Sequence, residues 1–244
     1  MCLNGKEKMK QKTNNNSSNS SSPPMEGLGE AIIQVENLTK QFGSFTAVKG
    51  ITFDVYKGEI FGFLGANGAG KTTAMKMLIG ISNPTSGKAN VAGLDVATQA
   101  DLVKKSIGYM SQKFSLYDDL TIKENITFFG GIYGLSRKLI KEKTQQLITK
   151  LEMQDVANNL VGSLPLGWKQ KLSFSVALLH EPKIVFLDEP TGGVDPITRR
   201  QFWEMIYTQA YKGTTIFVTT HYMDEAEYCD RVSIMVDGVI EALY

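Results

Sequence analysis

The run Gly65, Ala66, Asn67, Gly68, Ala69, Gly70, Lys71, Thr72, Thr73 fits the pattern G-x-x-x-x-G-K-[ST]. An apolar, strand-like stretch, Glu59-Ile-Phe-Gly-Phe-Leu64, precedes it, and a helix-like stretch from Thr72 to Ile79 follows. Strand, glycine loop and helix in that order make a phosphate cradle. The glycines let successive backbone N–H groups turn inward, and the helix adds the positive end of its dipole. In such a loop the lysine reaches the β- and γ-phosphates and the hydroxyl after it binds Mg²⁺. A glycine-rich turn with a chance lysine is the plain alternative, and the matching flanks argue against it. The implied fold is therefore α/β, a P-loop NTPase core built on a parallel sheet.

The 244 residues suffice for one large domain or a domain with a small subdomain. A hydrophobic share of 42% suits a globular protein. Lys+Arg 26 against Asp+Glu 25 gives a net charge of +1, so no nucleic-acid partner is expected. Cys2 and Cys229 are the only cysteines, too few for a disulfide framework, and a reducing compartment fits. No apolar run approaches the ~20 residues that span a bilayer, and the N-terminus lacks the apolar core of a signal peptide. Work at a membrane would need another polypeptide, or a further segment, to supply the spanning helices.

Residues 1–29 read differently from the rest. Their Asn/Ser run ending in Pro23-Pro24 has nothing to bury and is expected to be a flexible linker or a disordered tail. Folded sequence is expected over 30–244. Residues 32–36 and 47–55 read as strands that form an antiparallel β subdomain at the N-terminal side. The pattern predicts helices over 121–133, 138–151, 172–180 and 197–211, with a short one over 222–228. It predicts buried strands over 183–188 and 214–219, and a terminal strand pair from Val232. The mostly helical middle, about 113–180, is expected to be an inserted α-helical subdomain.

Asp188 and Glu189 close the strand 183–188, and ligands bind beyond the carboxyl ends of such strands. One acid there can hold Mg²⁺ and the next can polarise an attacking water. With these residues the chain resembles the nucleotide-binding domain of ABC transporters, the ATP-binding cassette, from about Ile32 to Glu241. Phe42, in Lys40-Gln-Phe-Gly43, matches the aromatic that stacks on adenine. Gln112, in Tyr109-Met-Ser-Gln112, matches the glutamine that senses Mg²⁺ and the γ-phosphate. Leu187-Asp-Glu-Pro-Thr191 matches the Walker B strand with its catalytic glutamate. Asp195, in Gly193-Val-Asp195, matches the D-loop, and His221, in Thr219-Thr-His221, matches the switch histidine. Taken singly, a Phe, Gln or His at these places would be ordinary structure; together and in this order they are specific. The resemblance implies Lys71, Glu189 and His221 as the catalytic set. It also implies nucleotide contacts from Phe42, the P-loop, Gln112 and Asp195, and Mg²⁺ held by Thr72, Gln112 and Asp188.

One landmark departs from the family pattern. Where the signature usually reads Leu-Ser-Gly-Gly-Gln, this chain has Leu164, Pro165, Leu166, Gly167 and Trp168, followed by Lys169. The usual serine hydroxyl and glycine N–H groups bind the γ-phosphate held by an opposite cassette. Proline has no N–H, and leucine adds bulk where backbone must come close. Helix formation is expected to survive, because proline suits a helix start; the phosphate contact is expected to weaken. This variant resembles the second cassette of tandem-cassette ATPases of the ABC-2 exporter class.

The resemblance implies the ATP-hydrolysing subunit of an exporter, peripheral on the inner, cytoplasmic face of the cell membrane. Its implied partners are an ABC-2 type permease and a second cassette. A soluble cassette ATPase of translation or DNA repair is the alternative. Against it, the interval from Lys71 to Asp188 is too short for a long coiled coil, and only the start of the tail is basic. A regulatory nucleotide binder that never hydrolyses is a third class, which Glu189 and His221 argue against. The chain ends at Tyr244, early for the family, so a fragment of a longer protein is one reading of its length.

Overall fold

The computed structural model describes residues 29–112 and 116–244, leaving outside it the tail expected over 1–29, except Gly29, and residues 113–115. Two sheets organise the chain. The first is antiparallel, in the order β2-β1-β4-β5, from β1 (Ala31–Phe42), β2 (Phe45–Tyr56), β4 (Ser86–Val91) and β5 (Leu94–Asp95). The second has the order β10-β9-β3-β8-β7-β6. It comprises β3 (Ile60–Leu64), β6 (Ile107–Met110), β7 (Ile184–Asp188), β8 (Thr215–Thr220), β9 (Arg231–Val236) and β10 (Val239–Leu243). All its neighbours run parallel except the edge pair of β9 and β10.

Strands β3, β7 and β8 are buried at every position, as their unbroken apolar runs require. Rings from both sheets meet between them. Phe217 lies 5.2–6.2 Å, centroid to centroid, from Phe53, Phe61, Phe63 and Phe186. Because Phe217 is fully buried at the centre of that cluster, Phe217→Ala is expected to lower unfolding stability by about 3–5 kcal/mol, read from the denaturant midpoint.

Among the described residues six α-helices complete the fold: α1 (Lys71–Leu78), α2 (Ala100–Ser106), α3 (Ile122–Ile132), α4 (Arg137–Lys150), α5 (Leu166–Ala177) and α6 (Pro196–Tyr211). Helices α3, α4 and α5 share an apolar cluster of their own, with Ile126, Leu147, Ile148, Leu172 and Val176 among its buried members. Helix α3 starts on a capping box. Thr121 accepts from the Glu124 amide, and Glu124 accepts from the Thr121 amide at 2.8 Å. One helix boundary lies far from the sequence expectation. Helix α5 begins at Leu166, well before 172, because its first turn carries Gly167, Trp168 and Lys169 and shows no apolar stripe. Beyond that α5 boundary and small shifts of one or two residues in the other helices, α2 and the four-residue β6 lie outside the expected elements, having too few residues to display a period.

Candidate functional site

The tight turn between β3 and α1 sets the site. Gly70 caps α1 at φ 105°, a left-handed conformation, and a Cβ there would lie 2.5 Å from the Ala47 carbonyl oxygen. No side chain caps α1 and no acid stands in its first turn. Its N-terminal amides therefore face the loop as an anion site. Lys71 is 4% exposed, and its Nζ donates to the carbonyls of Gly65 at 2.7 Å and Ala66 at 3.1 Å.

Three donors converge on Glu189. Lys71 Nζ lies 3.4 Å from its Oε1, Gln112 Nε2 donates to its Oε2 at 2.9 Å, and His221 Nδ1 stands 3.1 Å from the same oxygen. The His221 approach satisfies an ion-pair distance without in-line hydrogen-bond geometry. These three groups come from α1, from the end of β6 and from the end of β8, so the parallel sheet brings them together. An incoming γ-phosphate would compete with the carboxylate for all three. Glu189 itself holds φ 48°, rare for a residue with a side chain. Its amide is pinned by the carbonyl and hydroxyl oxygens of Thr219, both at 3.1 Å.

Asp188 is buried beside it. Its Oδ1 accepts from the Thr219 hydroxyl at 2.6 Å and faces the Thr72 hydroxyl at 3.3 Å. Burial raises the Asp188 pKa above the ordinary carboxylate value, while the two hydroxyls pull the other way. A hydroxyl and a carboxylate oxygen so close form a hard-oxygen pair suited to Mg²⁺. That ion uses one or two protein oxygens and otherwise keeps water and phosphate oxygens. Among the described residues no cluster of three or more His, Cys, Asp or Glu would cage a metal.

Two cavities meet at Glu189. One, of about 330 Å³, runs along Asn67, Gly68, Gly70, Lys71, Thr72 and Thr73, with Phe45 on its wall. The other, of about 290 Å³, lies between Gln112, Gln170, His221, Pro190, Gly192 and Gly193. Phe42 pairs with Phe45 across the β1–β2 turn and both are exposed, yet only Phe45 reaches the P-loop cavity. Ala69 is buried in the loop.

Asp195 lines neither cavity. Its carboxylate caps α6, accepting from the amides of Ile197 and Thr198 at 3.0 Å and from the Thr198 hydroxyl at 2.6 Å. Those bonds, the Thr198 hydroxyl first, hold its pKa low. The Asp-Pro pair thus starts α6.

Leu164, Pro165, Gly167, Trp168 and Lys169 line neither cavity. Pro165 occupies the N-cap of α5, Leu164 is buried and Trp168 is half-exposed. Lys169 Nζ pairs with Asp118 at 3.0 Å. A Cβ on Gly167 would lie 2.6 Å from Thr198 Cγ2, so α5 crosses the start of α6 at close range.

Sequence reasoning passed over Thr219, Phe45, Gln170 and Asn125. Thr219 had a positional signal, two residues before His221. Buried Asn125 accepts from the Tyr117 amide at 2.8 Å and donates to the Tyr117 carbonyl at 3.0 Å, anchoring the chain beyond Gln112. Nothing in its spacing announces that contact.

The family model for ABC transporters matches residues 48–192. The chain is 48% identical over 214 residues to the probable multidrug ABC transporter ATP-binding protein YbhF of Escherichia coli (strain K12), covering 88% of this chain and 37% of that protein. It therefore spans little more than a third of the length of that relative. It is 38% identical to the Nod factor export ATP-binding protein I of Rhizobium sp. (strain N33), covering 86% of this chain and 70% of that one. Among solved structures, the ATP-binding subunit of an ABC transporter superposes with a TM-score of 0.78 at 28% identity, covering 87% of this chain and 89% of the other.

Proposed function

The chain belongs to the ABC transporter family of ATP-binding cassettes, and on that premise we propose that it is the ATP-hydrolysing subunit of a membrane exporter. The observation that carries this reading is the convergence of Lys71, Gln112 and His221 on the Glu189 carboxylate at the mouth of the P-loop. ATP is the substrate. Its phosphates lie along the N-terminus of α1, with Lys71 on the β- and γ-phosphates. Phe45 lies nearer than Phe42 to stack on the base. Thr72, Asp188 and Gln112 would hold Mg²⁺, which supplies charge neutralisation on the phosphates. Glu189 orients a water and takes its proton. The water oxygen bonds to the γ-phosphorus, the bond to the β–γ bridging oxygen breaks, and ADP leaves with that electron pair. Lys71 and His221 counter the charge that develops on the transferred group.

Export follows from the relatives, whose names describe multidrug and Nod factor export ATP-binding proteins. Among the described residues no helix is long and apolar enough to cross a membrane. In this reading a partner, an ABC-2 type permease, supplies the spanning helices and holds the cassette on the inner face of the membrane. An aromatic surface supports that docking. Tyr117 and Phe128 are exposed and pack edge to face at 4.9 Å, with exposed Ile132 one turn further along α3. Affinity capture of the tagged chain from solubilised membranes is expected to bring down a polytopic protein and Mg-ATPase activity. Capture of ribosomes or DNA instead would favour the translation or repair alternative.

The second cassette is expected to be a different one. With Pro165 at the α5 N-cap and Leu166 after it, this chain offers a poor γ-phosphate contact to an identical copy. The isolated chain is therefore expected to bind Mg-ATP, remain monomeric on size exclusion and hydrolyse slowly. A brisk ATPase in a homodimer would contradict the pairing.

A further inference from the structure

We propose that Gln170 is a positioning residue for hydrolysis: through ordered water in the cavity it shares with Gln112 and Glu189, its amide sets the placement of both side chains. This rests on the ATPase reading given above. Gln170 lies in the second turn of α5, is 1% exposed, and among the described residues neither its Nε2 nor its Oε1 has a hydrogen-bond partner. A buried amide left unpaired costs free energy, and such groups are normally satisfied by protein or by water. The cavity of about 290 Å³ that it lines has room for several waters. The other lining residues include the polar side chains of Gln112, Asn67, Glu189 and His221, beside Met110 and Tyr222. A buried water makes about three hydrogen bonds, and these groups supply the remaining partners.

The placement gives the amide leverage on the chemistry. Glu189 Oε2 already holds Gln112 Nε2 at 2.9 Å, so a water bound between Gln170 and either group bears on both. Gln170 directly follows Lys169, at the end of the segment that matches the family signature. The helix end assigned to a partner's nucleotide is thereby tied, within one turn, to this chain's own Glu189. Water carries the tie because no direct hydrogen bond spans it.

The test compares Gln170→Leu, which keeps the volume and removes hydrogen bonding, with Gln170→Asn, which keeps an amide. Both are made in the full chain assembled in its membrane complex. Gln170→Leu is expected to lower kcat about tenfold, with KM for ATP and nucleotide affinity within about twofold and the melting temperature unchanged or raised. Gln170→Asn is expected to recover most of the rate. A high-resolution crystal structure of the wild-type chain is expected to show water bridging the Gln170 amide to Gln112 or Glu189. Unaltered kcat in Gln170→Leu, a loss that tracks melting temperature and ATP affinity, or an amide without bridging water would each overturn the proposal. A wild-type complex that hydrolyses no ATP would overturn the ATPase reading and this role with it. A wild-type complex that hydrolyses ATP no faster than Gln170→Leu would overturn the role alone.

Discussion

Glu189→Gln is expected to cut ATP turnover by about 10²- to 10⁴-fold, the usual worth of a positioned general base, while leaving ATP bound. The carboxylate stands within 3.4 Å of Lys71 and 3.1 Å of His221, beside the cradle for the γ-phosphate. In that position it repels the phosphate it helps to cleave. An amide of the same shape can still accept from Gln112 but takes up no proton and adds no negative charge. Binding should therefore hold or tighten while chemistry stops. Filtration of the protein after incubation with labelled Mg-ATP should recover uncleaved nucleotide, and phosphate release should fall to the background rate. Turnover at the wild-type rate would remove Glu189 from the catalytic role. The Thr219 contacts to the 189 amide do not depend on the side chain, so the strained backbone should persist in the variant.

Lys71→Met is expected to weaken ATP binding by about 10- to 100-fold, the loss of charge-assisted hydrogen bonds to phosphate. It is expected to lower kcat by a further ~10²-fold through lost charge stabilisation in the transition state. Methionine matches the stem of the lysine, so the effect isolates the ammonium. That ammonium is buried and bonded to the Gly65 and Ala66 carbonyls, which leave it aimed into the loop. Titration with a fluorescent nucleotide separates the two losses. A variant that binds ATP as tightly as the wild type would show that the loop amides alone carry the phosphates.

Much of this site was legible because its chemistry is local in sequence. The P-loop is one continuous stretch whose glycines, lysine and threonine are set by backbone geometry between a strand and a helix. Asp188-Glu189 and His221 follow buried strands, and a run of apolar residues ending in a polar one marks such places. Alternation over 32–36 likewise pointed to β1, which pairs with β2 and β4 in the antiparallel sheet.

What failed to show in the sequence depended on contacts between distant residues. Phe42 and Phe45 are equivalent aromatics on paper, and only the twist of the β1–β2 turn decides which one faces the cavity. That the Asp195 carboxylate also caps α6, through the Ile197 and Thr198 amides, shows only in the fold. Gln170 has no local pattern at all, since its meaning comes from burial beside Gln112 and Glu189. The amino-acid sequence by itself determined the phosphate cradle, the acids that serve it and the family to which they belong, because each is encoded within a few consecutive residues. Only the tertiary structure decided which aromatic lines the cradle, that Lys71, Gln112 and His221 meet on one carboxylate, and that a buried amide overlooks them. Those are meetings of side chains from β1–β2, α1, β6, α5 and β8, brought together by sheet order rather than by spacing along the chain.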